Sequence, residues 1–351
     1  MEALVTGSSG VLGYSVVRKL VERRDQLRLF DMVETPPALR AYLDESGVID
    51  FREYRNDMRE REALDAAADG VEVIYHLAAG QRMKPQFSAL SEEEIFDMNL
   101  EGLKNVLDVA RSRDVRKVVF ISSSGVYGLP EDRLIGESDH PTVPLGAYGH
   151  SKLQAETLCL EAMDAGLDVT MLRPMSLFGP GMTGVFVLLF DWVRRGRRVF
   201  LLGDGVNRVQ MASADDVATA AIQSALRPES AGCIFNIGSD PATVPTVKEQ
   251  VRALIDHAGA NSAITTVPAS LLRNAARGLN LFGLSPIVPE HYLLADRNFV
   301  LDISRAQEIL DWKPESDNIR MTCDAYDWYC ENWEAVAPKP NLALKVLESI
   351  T

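Results

Sequence analysis

The sequence is short of several things, and each shortage removes a class of function. It has four cysteines (Cys159, Cys233, Cys323 and Cys330), with neither a C-x-x-C pair nor a dense framework. They read as thiols of a reducing compartment, buried in the fold, and not as a disulfide scaffold. Long hydrophobic runs are also missing. The longest, Val185 to Phe190, is far too short to cross a bilayer. Positive charge is in deficit: 36 Lys and Arg stand against 50 Asp and Glu, a net charge of −14. Such a surface disfavours nonspecific binding to nucleic acid or anionic membrane, so neither is expected as a partner. There is no internal repeat and no low-complexity segment. The first predicted strand begins almost at Met1, which leaves no room for a signal peptide, so a cytoplasmic location is expected. What remains is ordinary globular material. The 351 residues, 46% hydrophobic and 25% charged, suffice for one large domain or two intimate lobes.

The most informative stretch is Ala3-Leu4-Val5-Thr6-Gly7-Ser8-Ser9-Gly10-Val11-Leu12-Gly13. An apolar run ends in Thr6, glycines follow at a spacing of three, and an apolar helical pattern then starts at Val11. This predicts a strand, a glycine turn and a helix N-terminus. In such a turn the first glycine allows the tight bend and the second lets backbone approach a pyrophosphate. The third packs helix on strand, while free helix N–H groups receive the anion. Leu27 to Asp31 reads as a second strand ending in a carboxylate at the distance where a ribose diol is held. The pattern predicts a dinucleotide site.

Strand and helix patterns alternate through the first half. Strands are predicted at Val48 to Tyr54, Val71 to Ala79, Lys117 to Ile121 and Asp168 to Leu172, with helices at Arg59 to Ala68, Ser91 to Arg111 and Ala147 to Ala165. Repeated units of this kind build a doubly wound parallel α/β sheet. After Arg173 the alternation breaks down, and two short strands (Val199 to Leu202, Arg208 to Ala212), a helix from Ser213 to Ala225 and a strand at Cys233 to Gly238 follow. The expected division is a dinucleotide-binding domain over 1–175 and about 213–258. A smaller mixed α/β lobe, discontinuous in sequence, would take 176–212 and about 259–335, with a tail over 336–351.

Tyr148-Gly149-His150-Ser151-Lys152 puts Tyr148 and Lys152 one helical turn apart on one face. A phenol with a free pKa near 10 needs help to act as an acid or base at neutral pH, and a lysine ammonium beside it favours the phenolate. The serine run Ser122-Ser123-Ser124 ends the strand before it, at the edge where parallel sheets bind ligands. A hydroxyl there can bond both a substrate oxygen and the tyrosine.

With these motifs the chain resembles the extended short-chain dehydrogenase/reductases, the NAD-dependent epimerase/dehydratase family, from residue 3 to about 333. Thr6 to Gly13 is similar to the family's T-G-x-x-G-x-x-G. Asn56-Asp57-Met58 resembles its adenine-contacting acid, and His76-Leu77-Ala78-Ala79 its fourth strand. Met98-Asn99 to Leu107 resembles N-x-x-G-x-x-N-V-L, and Phe120 to Gly128 resembles S-S-x-x-V-Y-G. Tyr148 and Lys152 match Y-x-x-x-K. Leu172-Arg173-Pro174 with Phe178 to Gly181 resembles R-P-x-x-x-Y-G-P-G, with Phe178 in place of the tyrosine. Asn236-Ile237-Gly238 and Leu310 to Pro314 resemble late motifs.

The resemblance implies an enzyme with Tyr148 as acid/base, Lys152 holding the nicotinamide ribose and tuning Tyr148, and Ser123 orienting the reacting oxygen. It implies NAD as cofactor, held by Gly7, Ser9, Gly10, Val11, Leu12, Asp31, Asp57, Met58, Leu77, Ala78, Ala79, Asn99, Ile121, Ser122, Tyr148, Lys152, Pro174 and Ser176. Asp31 would repel a 2′-phosphate and favour NAD over NADP. Gln81, Ser124 and Arg208 would face the substrate. Dehydrating members carry an Asp-Glu pair after the catalytic hydroxyl, where this chain has Ser124 and Gly125, so a 4,6-dehydratase is disfavoured.

Arg208 with Asp215 seven residues on resembles a segment that places arginine on a substrate diphosphate, which favours a nucleotide sugar. A surface arginine paired with an acid is the plainer account of Arg208. A second diphosphate arginine, usual before the late acid (here Asp302), is replaced by His291-Tyr292, and Ser176 stands where some epimerases have asparagine. The Leu-rich stretch Leu271 to Leu284 reads as core of the smaller lobe or as the lining of an apolar pocket. No metal site is expected, and neither His76 nor His150 is given a role. The leading expectation is an NAD-dependent epimerase or dehydrogenase of a nucleotide sugar. A reductase or dehydrogenase of a hydrophobic alcohol or ketone is the first alternative, and a non-catalytic NAD sensor the second. The family's habit of pairing two long helices per subunit implies a homodimer through Ser91 to Arg111 and Ala147 to Ala165. Ile95, Phe96, Leu103, Leu158 and Leu160 would lie at or beneath that contact.

Overall fold

Seven parallel strands form the main sheet of the protein, a computed structural model that describes residues 1–47, 51–80, 90–139, 143–178, 181, 185–268 and 296–336. The first units are β1 (Glu2–Thr6), α1 (Val11–Glu22), β2 (Gln26–Asp31), α2 (Pro37–Glu45), β3 (Phe51–Arg55), α3 (Arg61–Ala67) and β4 (Val73–His76). They continue with α4 (Glu92–Ser112), β5 (Lys117–Ile121), α5 (Gly146–Asp164) and β6 (Val169–Pro174). A later strand, β10 (Ile234–Ile237), adds alongside β6 and gives the order β10-β6-β5-β4-β1-β2-β3. The order reverses between β1 and β4, so the crevice that takes a ligand in such sheets opens beyond their carboxyl ends.

Burial follows position in the sheet. Central β4 and β5 are buried at every residue, as largely apolar strands covered on both faces are, whereas the edge strand β3 is mostly exposed. Residues 48–50 of the expected third strand lie outside the described residues. The expected fourth strand is shorter than its apolar run, because Leu77 to Ala79 leave the ladder to form the loop against the glycine turn. Helix α2 stands where the sequence reading passes straight from the second strand to the third. Its buried side chains are only Leu39 and Leu43, one turn apart, and Pro37 starts it.

Beyond β6 lie β7 (Ser176–Phe178), α6 (Val185–Arg194), β8 (Val199–Leu202), β9 (Met211–Ser213) and α7 (Ala214–Leu226). After β10 come α8 (Val247–His257), β11 (Ile264–Val267), α9 (Ser304–Leu310) and α10 (Asn318–Val336). Two small parallel pairs form here, β7 with β9 and β8 with β11, and β9 starts at Met211, later than the strand expected from Arg208. A second core gathers Phe178, Phe190, Trp192, Val199, Leu254 and Tyr329. Helix α8 packs into this second core, while Ala306 and Leu310 of α9 join the core beneath the main sheet. No helix among the described residues is long and apolar enough to cross a membrane.

Helix α4 starts with a full capping box, Ser91 with Glu94, and packs against α5. Of the residues expected at a dimer contact, Ile95 and Leu103 are buried within the protomer, and Leu160 is 46% exposed. All four cysteines are free. Cys159 and Cys233 are buried, while Cys323 and Cys330 are partly exposed. The Leu271 to Leu284 stretch, His291-Tyr292 and the 337–351 tail lie outside the described residues.

Candidate active site

The glycine turn is shaped by steric necessity. Gly7 has a left-handed φ of +75°, and a Cβ there would lie 2.6 Å from the Ala78 nitrogen, so the turn rests directly on the loop after β4. A Cβ at Gly13 would lie 2.4 Å from the Gly7 carbonyl oxygen, which is how closely α1 presses on the turn. A Cβ at Gly10 would meet only the Gly7 oxygen, at 3.4 Å, and would otherwise enter open space at the start of α1. Gly10 caps that helix without a side-chain hydrogen bond, and Val11 and Leu12 form its first turn. The Ser9 hydroxyl is buried and has no partner among the described residues. A glycine cradle, bare helix N–H groups and an orphaned hydroxyl together suit a pyrophosphate.

Asp31 closes the same turn. Its carboxylate accepts from Ser9 N (3.0 Å) and Val33 N (3.2 Å), which ties the end of β2 to the glycine turn. Asp57 stands after β3 and accepts three bonds from Arg59. Burial raises its pKa, but those bonds and the arginine charge outweigh it and hold the carboxyl below its usual range. Met58 is buried against α4, where Gly102 leaves it room and the Asn105 amide donates to the Met58 carbonyl at 3.0 Å. Leu77, Ala78 and Ala79 are half-buried in the loop after β4. Asn99 bonds both N–H and C=O of Gly80 (2.7 and 3.1 Å), so its amide braces that loop. The helix motif Asn99-x-x-Gly102-x-x-Asn105 therefore holds two loops of the site at three points on one face.

The other end is built of side chains. The Lys152 Nζ donates to the Ile121 carbonyl at 2.7 Å and lies 4.8 Å from the Phe120 ring centre and 5.9 Å from that of Tyr148. Tyr148 is half-buried and one turn before Lys152 on α5. Ser123 caps a 3-10 turn, Ser124–Tyr127, with its Oγ accepting from Gly125 N at 3.1 Å. Ser124 is buried, and the Ser122 hydroxyl donates to Glu156 at 2.5 Å. His76 bonds Thr6 at 2.8 Å and stacks on Phe120. Burial first, and then the Lys152 charge, bring its pKa down to about 3, so the imidazole is neutral.

Toward the substrate side, Pro174 is buried at the end of β6 and Ser176 is exposed at the start of β7. Arg208 is exposed, with its backbone held by Asn298 and Phe299. No ion pair to its guanidinium occurs among the described residues, but its charge helps keep Glu249 below the usual carboxylate range, after the larger hydrogen bonds from Thr246. Asp215 pairs with Arg18 of α1 at 2.6 Å. Gln81 lies outside the described residues. Among the described residues no cluster of three or more His, Cys, Asp or Glu could hold a metal.

Tyr127 and Asn105 stand in motifs read from the sequence but were given no role there, and Glu156 was not singled out. Glu156 continues the face of Tyr148 and Lys152 by one further turn, and that spacing was the available signal.

The Rossmann-type sheet, the glycine cradle and the Tyr148–Lys152 face define a nicotinamide-dependent enzyme. A family model described as the NAD dependent epimerase/dehydratase family matches residues 3–238, and the chain belongs to that family. Its cofactor is NAD. The uncharacterized protein y4nG of Sinorhizobium fredii is 33% identical over 94% of this chain and 79% of its own length. Sterol demethylase protein B of Methylococcus capsulatus is 29% identical over 79% of this chain and 80% of its own. Among solved structures, a UDP-glucose 4-epimerase of Thermotoga maritima bound to UDP-glucose is similar with a TM-score of 0.73. It is 23% identical and matched over 95% of this chain and all of that one, a likeness of fold.

Proposed function

We propose that this enzyme oxidises a hydroxyl of a nucleotide sugar to a ketone and returns the hydride to the other face, with 4-epimerisation as the net reaction. The observation that carries the oxidation step is the Tyr148–Lys152 face beside Ser123, at the carboxyl end of β5. The Tyr148 phenolate takes the hydroxyl proton as the ketone forms. The Lys152 ammonium favours that phenolate and, with donors beyond the one on Ile121, serves the nicotinamide ribose. The Ser123 hydroxyl accepts from Gly125 and keeps its own hydrogen for the reacting oxygen. NAD supplies the hydride acceptor and donor when bound. Gly7, Ser9 and Gly10 hold its pyrophosphate, and Asp31 holds the adenosine ribose and disfavours a 2′-phosphate. Arg208, exposed and without an ion pair among the described residues, takes the substrate diphosphate. The working form is a cytoplasmic homodimer joined through α4 and α5.

A second reading, a dehydrogenase of an apolar alcohol, draws on the proximity of Arg208 to Glu249 and on the name of the Methylococcus relative. Turnover separates the two. With UDP-, GDP-, CDP- and dTDP-sugars an epimerase interconverts isomers and accumulates no net NADH, whereas a dehydrogenase shows a continuing absorbance rise. Arg208→Ala should raise KM for the nucleotide sugar by roughly 10-fold or more, through loss of a charge-assisted contact. Steady NADH from a sterol, insensitive to Arg208→Ala, would install the second reading.

A further inference from the structure

A buried polar network surrounds the catalytic serine, and none of the roles above uses it. Glu156 lies two turns beyond Tyr148 on α5 and is 3% exposed. Its Oε1 accepts from the Ser122 hydroxyl (2.5 Å) and from Arg173 Nε (2.8 Å), and its Oε2 accepts from Arg173 Nη2 (2.8 Å). Arg173, on β6, then donates through Nη1 to the Tyr127 hydroxyl at 2.8 Å and to the Glu137 carbonyl at 3.1 Å. Tyr127 in turn donates to Asn236 Oδ1 on β10 at 2.7 Å. Burial pushes the Tyr127 phenol up to about 12, against the pull of Arg173, so it stays a neutral donor.

Ser123 sits between two anchors of this one network. Ser122 is tied to Glu156 on one side, and Tyr127, which ends the turn that Ser123 caps, is tied to Arg173 on the other. Across the site, Tyr148, Lys152 and Glu156 occupy successive turns of one helix, with Lys152 bonded to Ile121 and Glu156 to Ser122. The spacing between the α5 face and the end of β5 is thus set by two adjacent rungs. A buried ion pair is a poor device for stability alone, since apolar replacements of the same volume often hold a fold as well. Its bidentate geometry is a good device for fixing position.

We infer that Glu156 and Arg173 are positioning residues that hold the Ser123 hydroxyl at its working distance from Tyr148. The inference rests on the proposed roles of Ser123 and Tyr148. Removing both charges together avoids stranding one of them, so the test is the double variant Glu156→Leu/Arg173→Met. It should fold, bind NAD as the wild type does, and exchange amide hydrogens faster over residues 121–128 while α1 stays unchanged. With UDP-glucose as substrate its kcat should fall about 10- to 100-fold with little change in KM, the scale of a misplaced reacting group. Adding Tyr148→Phe to it should cost less than Tyr148→Phe costs the wild type.

Wild-type exchange over 121–128 overturns the inference, and so does faster exchange with an unchanged kcat. If UDP-glucose is not turned over, kcat is read with whichever of the GDP-, CDP- or dTDP-sugars or sterols the wild type converts. If the double variant does not fold, Ser122→Ala decides. It frees β5 from the network with the ion pair intact, and it too should loosen 121–128. Failure of the catalytic reading looks different: Tyr148→Phe, with the network intact, would leave turnover undiminished.

Discussion

At the β1–α1 end the site is made of backbone: three glycines, bare helix N–H groups and a single carboxylate, Asp31. At the β5–α5 end it is made of side chains, namely Tyr148, Lys152, Ser123 and, behind them, Glu156 and Arg173. On the proposed reading, the first end would hold a ligand by leaving space and pointing dipoles, and the second would do chemistry by placing groups whose protonation can change. Errors should differ accordingly. A change at the backbone end should damage folding and binding together, and a change at the side-chain end should damage the rate with the fold intact.

The largest expected effect is at Gly7. Gly7→Ala adds left-handed strain and a clash with the Ala78 backbone, about 3 kcal/mol together. It should lower the melting temperature and abolish NAD binding in calorimetry, and a stable, NAD-binding variant would dissolve the contrast. Next comes Tyr148→Phe, expected to lower kcat by about 100-fold, or ~2.7 kcal/mol, with an unchanged melting temperature. A comparable loss of stability would show that the side-chain end is structural as well. Asp31→Ala should be milder. The wild type should prefer NAD over NADP by about tenfold, ~1.4 kcal/mol, and the variant should lose most of that gap in titrations of both cofactors.

The smallest effect lies on the seam between the two ends, at His76, which touches Thr6 of β1 and Phe120 of β5. Its folded pKa is depressed to about 3, so the unfolded chain takes up the proton first as pH falls. Its share of stability is complete above the unfolded value near 6.5 and is lost as pH falls from there toward 3. Between pH 7.5 and 6.0 that share is about 0.8 kcal/mol. Urea melts of wild type and His76→Gln should diverge by that amount, the wild type losing more. Parallel pH profiles would mean that His76 is not buried neutral.

The same contrast explains what could be read from the sequence. Glycine spacing is a direct record of backbone geometry, so Gly7, Gly10 and Gly13 announce the turn, and the largely apolar β4 and β5 announce a sheet covered on both faces. Tyr148 and Lys152 were legible because one helical turn relates them. Glu156 obeys the same spacing, but its partner Arg173, and Tyr127 and Asn236 further along the network, come from three other elements, and no local pattern joins them. Helix α2 was missed because two buried leucines make too faint a stripe and its opening prolines read as loop. Beyond Arg173 neither α8 nor α9 was read from the sequence, and periodicity does not say which of two cores a face will meet.

The helices α4 and α8 carry their own caps, Ser91 with Glu94 and Thr246 with Glu249. Helix α1 has neither a capping side chain nor an acid in its first turn. Helices α2 and α5 lack both as well, but α1 alone of the three follows the glycine turn, so on the proposed reading its free N–H groups would be met by the NAD pyrophosphate. With free NAD at a hundred times its dissociation constant, the folded state gains about 2.7 kcal/mol. On that reading, proteolysis of the enzyme should slow as NAD is added, because the bound form opens less often.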